Sequence, residues 1–197
     1  MTTPRSTSIK RTTAETSIEL ELTLDADGSS SIATGLGFLD HMLATLALHW
    51  RVDLSLTCTG DLHVDDHHTI EDCALTLGRA IDQCLGDRRA IARFGFAFAP
   101  LDESLARAVV DLSGRAHASI DLGLRGERLG DIATENLSHF FVSLASSARC
   151  AIHLDVLRGS NDHHRAEAAF KACALALRQA VAIDPASPGV PSTKGVL

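Results

Sequence analysis

The chain has 197 residues, of which 45% are apolar and 22% charged, with a formal net charge of -7. That balance suits one folded domain or two small ones and excludes a disordered chain. The acidic surplus argues against a nucleic-acid partner, so any anion site has to be a local cluster of Arg and Lys.

There is no N-terminal apolar leader and no apolar run near ~20 residues. A cytoplasmic protein without membrane contact is the expectation. The cysteines Cys58, Cys73, Cys84, Cys150 and Cys173 are odd in number and form no C-x-x-C, which points to reduced, buried thiols.

Residues 1–10 are polar and read as a frayed end. From Thr16 to Leu24 apolar and polar residues alternate, the pattern of a half-buried strand. Asp25-Ala26-Asp27-Gly28 is its turn, and a short strand follows to about Thr34. Gly35-Leu36-Gly37 leads into a helix from Phe38 to His49. Val52, Leu54, Leu56 and Cys58 mark another strand. After a polar loop, Ile70, Cys73, Ala74, Leu77, Ile81 and Leu85 form the apolar stripe of a second helix.

The order then repeats. Strands are expected near 94–98, 106–112 and 116–122, with Ser113-Gly114 as the hairpin between the last two. A loop from Leu122 to Gly130 precedes a helix from Ile132 to Ala148. Ile152, Leu154 and Val156 mark a strand. Asp162 is a candidate N-cap for the last helix, whose stripe is Ala166, Phe170, Cys173, Leu177 and Val181. The sequence therefore predicts a two-layer α/β (α+β) fold made by internal duplication of a strands-helix-strand-helix half. The first half spans 1–90, the second 91–184 and a loop-like tail 185–197, all within one compact domain.

The duplication extends to chemistry. Asp66-His67-His68-Thr69-Ile70-Glu71 and Asp162-His163-His164-Arg165-Ala166-Glu167 both read D-H-H-x-x-E, and each is preceded by a lone histidine, His41 or His139. Six of the ten histidines fall into these two sets. Neighbouring residues on a helix point about 100° apart, so the two histidines of a pair serve two different ions more easily than one. The glutamate is i+4 from the first and i+3 from the second, within reach of either. The eight candidate metal ligands are His41, His67, His68, Glu71, His139, His163, His164 and Glu167. Imidazole and carboxylate without thiolate suit Mn²⁺, Fe²⁺ or Zn²⁺. By pseudo-symmetry, the expected partition is His41, His68, Glu71 and His163 on one ion, and His67, His139, His164 and Glu167 on the other.

Several motifs carry a resemblance. Gly37-Phe38-Leu39-Asp40-His41-Met42-Leu43, the first D-H-H-T-I-E-D, Asp111-Leu112-Ser113-Gly114-Arg115, Asn161-Asp162-His163-His164 with Glu167 and Phe170-Lys171-Ala172, and Gly189-Val190-Pro191-Ser192-Thr193-Lys194-Gly195 together resemble the imidazoleglycerol-phosphate dehydratases of histidine biosynthesis. The likeness runs from about residue 9 to 195. It implies the duplicated fold of ribosomal protein S5 domain 2, two Mn²⁺ per active site, and a 24-subunit homo-oligomer with active sites between subunits. It also implies loss of water from D-erythro-imidazole glycerol phosphate to give imidazole acetol phosphate.

The chemical difficulty is a proton on a carbon with no adjacent carbonyl. An imidazole ring made anionic can expel the hydroxyl, and a cation on the ring nitrogen favours that anion. A base and an acid are also needed. Glu15 matches the family's substrate-facing glutamate, and Glu167 is the second catalytic candidate. Arg93, Arg115, Lys171, Ser192 and Lys194 match its phosphate-binding positions, and Thr193 belongs to the same loop. The implied substrate contacts also include His41, His49, His67, Glu71 and His163. Thr45 stands where family members commonly carry Gln. A di-metal phosphohydrolase and a non-catalytic metal-binding shell are the alternative readings; phosphate release would mark the first, full metal loading without turnover the second.

Overall fold

The computed structural model describes residues 5–186 and 188–197. The first half begins with β1 (Ser6–Thr12), β2 (Thr16–Thr23) and β3 (Ser30–Ala33). It continues with α1 (Gly37–Trp50), β4 (Asp53–Gly60) and α2 (His67–Leu85). The second comprises β5 (Phe94–Leu101), β6 (Ser104–Asp111) and β7 (His117–Asp121), then the short pair β8 (Arg128–Leu129) and β9 (Ile132–Ala133). It ends with α3 (Thr134–Ala148), β10 (Ala151–Arg158) and α4 (Asp162–Val181).

Each half folds a four-stranded sheet of the same topology, β1-β2-β4-β3 and β5-β6-β10-β7. In both, the third strand pairs parallel with the strand that follows the helix, β3 with β4 and β7 with β10. The order of elements thus repeats as the sequence pattern predicts.

Three local expectations are corrected. Residues 6–10 are not frayed: β1 pairs antiparallel with β2 from Ser6↔Thr23 to Thr12↔Ser17. Ile9 is its one buried apolar residue, because β1 is an edge strand, so the burial signal is nearly absent. Ser113-Gly114 does not close a hairpin, since β6 lies between β5 and β10 and β7 sits beyond β10. The tight hairpin is instead β5–β6, turning at Asp102-Glu103 between Leu101 and Ser104. Nor does Asp162 cap α4. The cap is Asn161, whose side chain accepts from the His163 and His164 N–H groups, while one Asp162 oxygen accepts from Arg125 N and Gly126 N at 2.8 and 2.7 Å.

The helices fill one layer between the two sheets, and their pairing is crosswise. α1 packs on α4 and α2 on α3, so each pair takes one helix from each half. Trp50, Phe140, Phe141 and Phe170 are the largest fully buried side chains. Close approach is built in at Gly78 on α2, where an added Cβ would come 2.7 Å from Leu144 O of α3. The junction at 86–93 is tied down by buried Arg88, which donates to Arg149 O and Ala148 O at 3.0 Å and pairs with Asp82. The five cysteines are buried and unpaired, as expected. Among the described residues, no helix is long and apolar enough to cross a membrane.

Candidate metal centre

Crosswise packing brings the histidines together. α1 presents His41; α4 presents His163 and Glu167, one turn apart on one face. Nε2 of His41 and Nε2 of His163 each lie 3.2 Å from the same oxygen, Oε2 of Glu167. The other oxygen, Oε1, accepts from Lys171 Nζ at 2.7 Å, one turn further along. Burial opposes ionisation of Glu167. The Lys171 ammonium and the two imidazoles outweigh it and lower the carboxyl pKa.

The second cluster is its pseudo-symmetric copy. α2 presents His67 and Glu71; α3 presents His139. His139 Nε2 lies 3.0 Å from Glu71 Oε1, and the rings of His67 and His139 stack with centroids 4.8 Å apart. Within each set, His41/His163/Glu167 and His67/Glu71/His139, ligand atoms from all three residues lie within 4.8 Å of one another. Two imidazoles and a carboxylate, with every thiol elsewhere in the core, fit a divalent cation of the Mn²⁺, Fe²⁺ or Zn²⁺ group.

This grouping differs from the expected partition. Each cluster does draw on both halves, and His41 does sit with His163 and His67 with His139. The glutamates are exchanged: Glu71 belongs with His67 and His139, Glu167 with His41 and His163. His68 and His164 stand outside both clusters. His68 Nδ1 lies 3.0 Å from Asp61 Oδ2 and its Nε2 3.6 Å from Glu15 Oε1. His164 Nδ1 lies 2.7 Å from Glu103 Oε2. Both imidazoles have raised pKa values, through Asp61 first for His68 and through Glu103 first for His164. Glu103 also accepts from Ser160 N and Asn161 N at 2.9 Å, and with His164 these bonds hold its carboxyl well below the usual range.

One residue absent from the sequence reading, Asn136, stands behind the second cluster, backed by Asp66 of the motif. Asn136 on α3 is buried, and its Oδ1 lies 2.9 Å from His67 Nδ1. Its Nδ2 donates to Asp66 Oδ2 at 3.0 Å, and the same oxygen accepts from Ala133 N at 2.8 Å. The signal was present: Asn136 precedes His139 by three positions, one turn along the same helix face.

Glu15 sits in the β1–β2 turn with its side chain about half exposed, at the place that Asp102-Glu103 occupies in the second half. Neighbouring Thr16 donates to Asp72 Oδ2 at 2.5 Å, and Arg11 pairs with the same carboxylate. The hairpin bearing Glu15 is therefore anchored to α2.

Arg93, Arg115, Ser192, Thr193 and Lys194 line one open cavity of about 580 Å³ with Val190, Pro191 and Leu197. Arg93 holds the tail by donating to Pro191 O at 2.7 Å, and also bonds Asp111 at 2.7 Å. Lys171 is not part of this cavity; it neighbours Glu167. His49, on α1, has its pKa lowered by burial and then by the Lys171 charge. Thr45 is buried on α1.

Comparison with known proteins agrees with this geometry. Residues 34–177 match the family model for imidazoleglycerol-phosphate dehydratase. The chain is 60% identical over 193 residues to the imidazoleglycerol-phosphate dehydratase of Phytophthora nicotianae, a match that covers 98% of this chain and 42% of that longer protein. It is 52% identical over 194 residues to that of Salinibacter ruber, covering 98% of this chain and 96% of the relative. The crystal structure of imidazoleglycerol-phosphate dehydratase from Staphylococcus aureus superposes with a TM-score of 0.82 at 35% identity, covering 90% of this chain and 99% of that one. With the repeat, the crosswise clusters and these likenesses in agreement, the chain belongs to the imidazoleglycerol-phosphate dehydratase family.

Proposed function

We propose that the two crosswise clusters each hold a divalent cation, Mn²⁺ foremost, in the active site of a histidine-biosynthetic hydro-lyase that removes water from D-erythro-imidazole glycerol phosphate. The observation that carries this reading is the pair of His-His-Glu sets built from opposite halves. A substrate ring with two nitrogens suits a site with two equivalent ion positions. His41, His163 and Glu167 would hold one ion, and His67, Glu71 and His139 the other. When bound, the ions supply Lewis acidity and a template for the imidazole ring.

The chain's own residues account for the rest. Glu15, half exposed and 3.6 Å from His68, is the group that takes or returns the carbon-bound proton. Arg93, Arg115, Ser192, Thr193 and Lys194 offer guanidinium, ammonium and loop N–H groups to the phosphate. Lys171 keeps Glu167 ionised as a ligand.

His68 and His164 are the remaining imidazoles of the two motifs, and both face outward from their own clusters. We assign them to ions shared with a neighbouring copy, so that complete sites form between subunits. Self-association has support in an apolar row: Phe94, Phe96 and Phe98 on β5 are 58%, 67% and 56% exposed. A continuous exposed patch of this kind marks a protein contact more often than a free surface. The 24-subunit assembly implied by the resemblance is the proposed form, and the solution mass tests it.

The deciding experiment is turnover of imidazole glycerol phosphate by metal-stripped protein with and without Mn²⁺. Metal-dependent formation of imidazole acetol phosphate without phosphate release is expected. Release of inorganic phosphate would move the assignment to a hydrolase.

A further inference from the structure

The two clusters are alike in ligands and unlike in what stands behind them. Behind His67 is a chain of hydrogen bonds: Nδ1 to Asn136 Oδ1 at 2.9 Å, then Asn136 Nδ2 to Asp66 Oδ2 at 3.0 Å. A carboxylate oxygen cannot donate, so Asp66 fixes which end of the Asn136 amide faces it. Oδ1 is then turned to His67, and an oxygen there requires a proton on Nδ1. The ring is thereby held with the Nε2 lone pair free for a cation. Asp66 and Asn136 are both buried, so water does not compete for these bonds.

The equivalent position behind His163 belongs to Phe38, three residues before His41 as Asn136 is three before His139. The Phe38 ring meets the His163 ring edge-on, with centroids 5.2 Å apart. It offers no acceptor. Among the described residues, the protein contact recorded for the His163 imidazole nitrogens is Nε2 to Glu167. Because a carboxylate oxygen only accepts, that contact draws the His163 proton to Nε2, the nitrogen facing the cation, and no protein acceptor among the described residues holds it on Nδ1.

We propose that Asn136 is a positioning residue that fixes the His67 tautomer, so that the His67/Glu71/His139 cluster fills first and holds its cation more tightly than the His41/His163/Glu167 cluster. This rests on the two-ion reading above. Partners behind a metal-bound histidine commonly change affinity by about 10–100-fold when removed.

The test is a calorimetric Mn²⁺ titration of the metal-stripped full-length protein, with bound metal counted after dialysis. Two classes of site are expected for the unaltered protein. Asn136→Leu should weaken the tighter class by about 10–100-fold and leave the weaker one unchanged. Asp66→Asn keeps an acceptor for Ala133 N but frees the Asn136 amide to turn over. It should shift the same class, by less, and it answers the question if Asn136→Leu fails to fold. An unchanged tighter class in both variants, or an equal loss in both classes, would overturn the proposal while leaving the two-ion site standing. Failure of the unaltered protein to bind Mn²⁺ would remove the two-ion reading itself and this proposal with it.

Discussion

His139 Nε2 stands 3.0 Å from Glu71 Oε1, although 68 positions separate the two residues. The contact depends on α2 lying against α3, and each cluster is a by-product of such a packing. Replacing His139 by Ala should therefore lower bound Mn²⁺ by about one ion per chain and leave the other cluster loaded. Elemental analysis of the dialysed protein reads this directly. Loss of both ions would mean that the clusters are not separable.

Glu15 lies outside both clusters, so metal content and turnover should part company there. Glu15→Gln is expected to reduce kcat by about 100-fold or more with metal content unchanged. Near-normal turnover would remove Glu15 from the proton transfer.

Asp72 is buried and receives both Thr16 and Arg11. Removing a buried partner leaves a charge uncompensated, which costs ~3–5 kcal/mol in a dry interior. Arg11 is about a third exposed, so water offsets part of that cost. Asp72→Ala should destabilise by about 2–3 kcal/mol in urea melts. Because the same contacts dock the Glu15 turn, kcat should fall as well.

Gly78 shows how little room separates α2 from α3. An added Cβ would also approach Ala148 N to 2.8 Å. Gly78→Ala is expected to cost about 1–3 kcal/mol and to weaken Mn²⁺ binding at the His67/Glu71/His139 set, since it pushes apart the two helices that supply the ligands. A melt and a metal titration on the same sample check both effects.

The His164–Glu103 pair sets a pH dependence in the metal-free protein. Glu103 raises the His164 pKa above its ordinary 6.5. The histidine's share of stability is complete below 6.5 and is lost as pH rises through the raised value. The carboxyl pKa is lowered, so its share is present above the ordinary 4.5 and is lost as pH falls through the lowered value. Glu103→Gln should thus cost most between 4.5 and 6.5. It should also return the His164 midpoint toward 6.5, as followed by NMR of the ring proton.

The repeat and its strands were legible because alternation and helical stripes track burial. β1 was not, because Ile9 is the only apolar residue in Ser6–Thr12 and no alternation can show. The β6–β7 connection misread as a hairpin shows the limit of turn residues: Gly114 does make a turn, with φ at 73°, but β10, far along the chain, takes the place beside β6. The D-H-H-x-x-E repeat pointed to His67, Glu71, His163 and Glu167, which the fold does gather with His41 and His139. Their partition was not readable, because the glutamate is within local reach of both histidines, and the choice is made by which helix packs opposite. Asn136 was missed because an amide has no chemistry of its own; its role comes from Asp66 behind it and His67 in front.

Crosswise pairing of α1 with α4 and α2 with α3 has one more consequence. Neither repeat contains a complete cluster: each supplies a lone histidine to one and a His-x-x-x-Glu pair to the other. A chain of half this length would have to join a copy of itself to make either cluster. In doing so it would make both at once, identical and related by a two-fold axis. Within one chain the two need not be identical, and here Asn136 stands behind one and Phe38 behind the other.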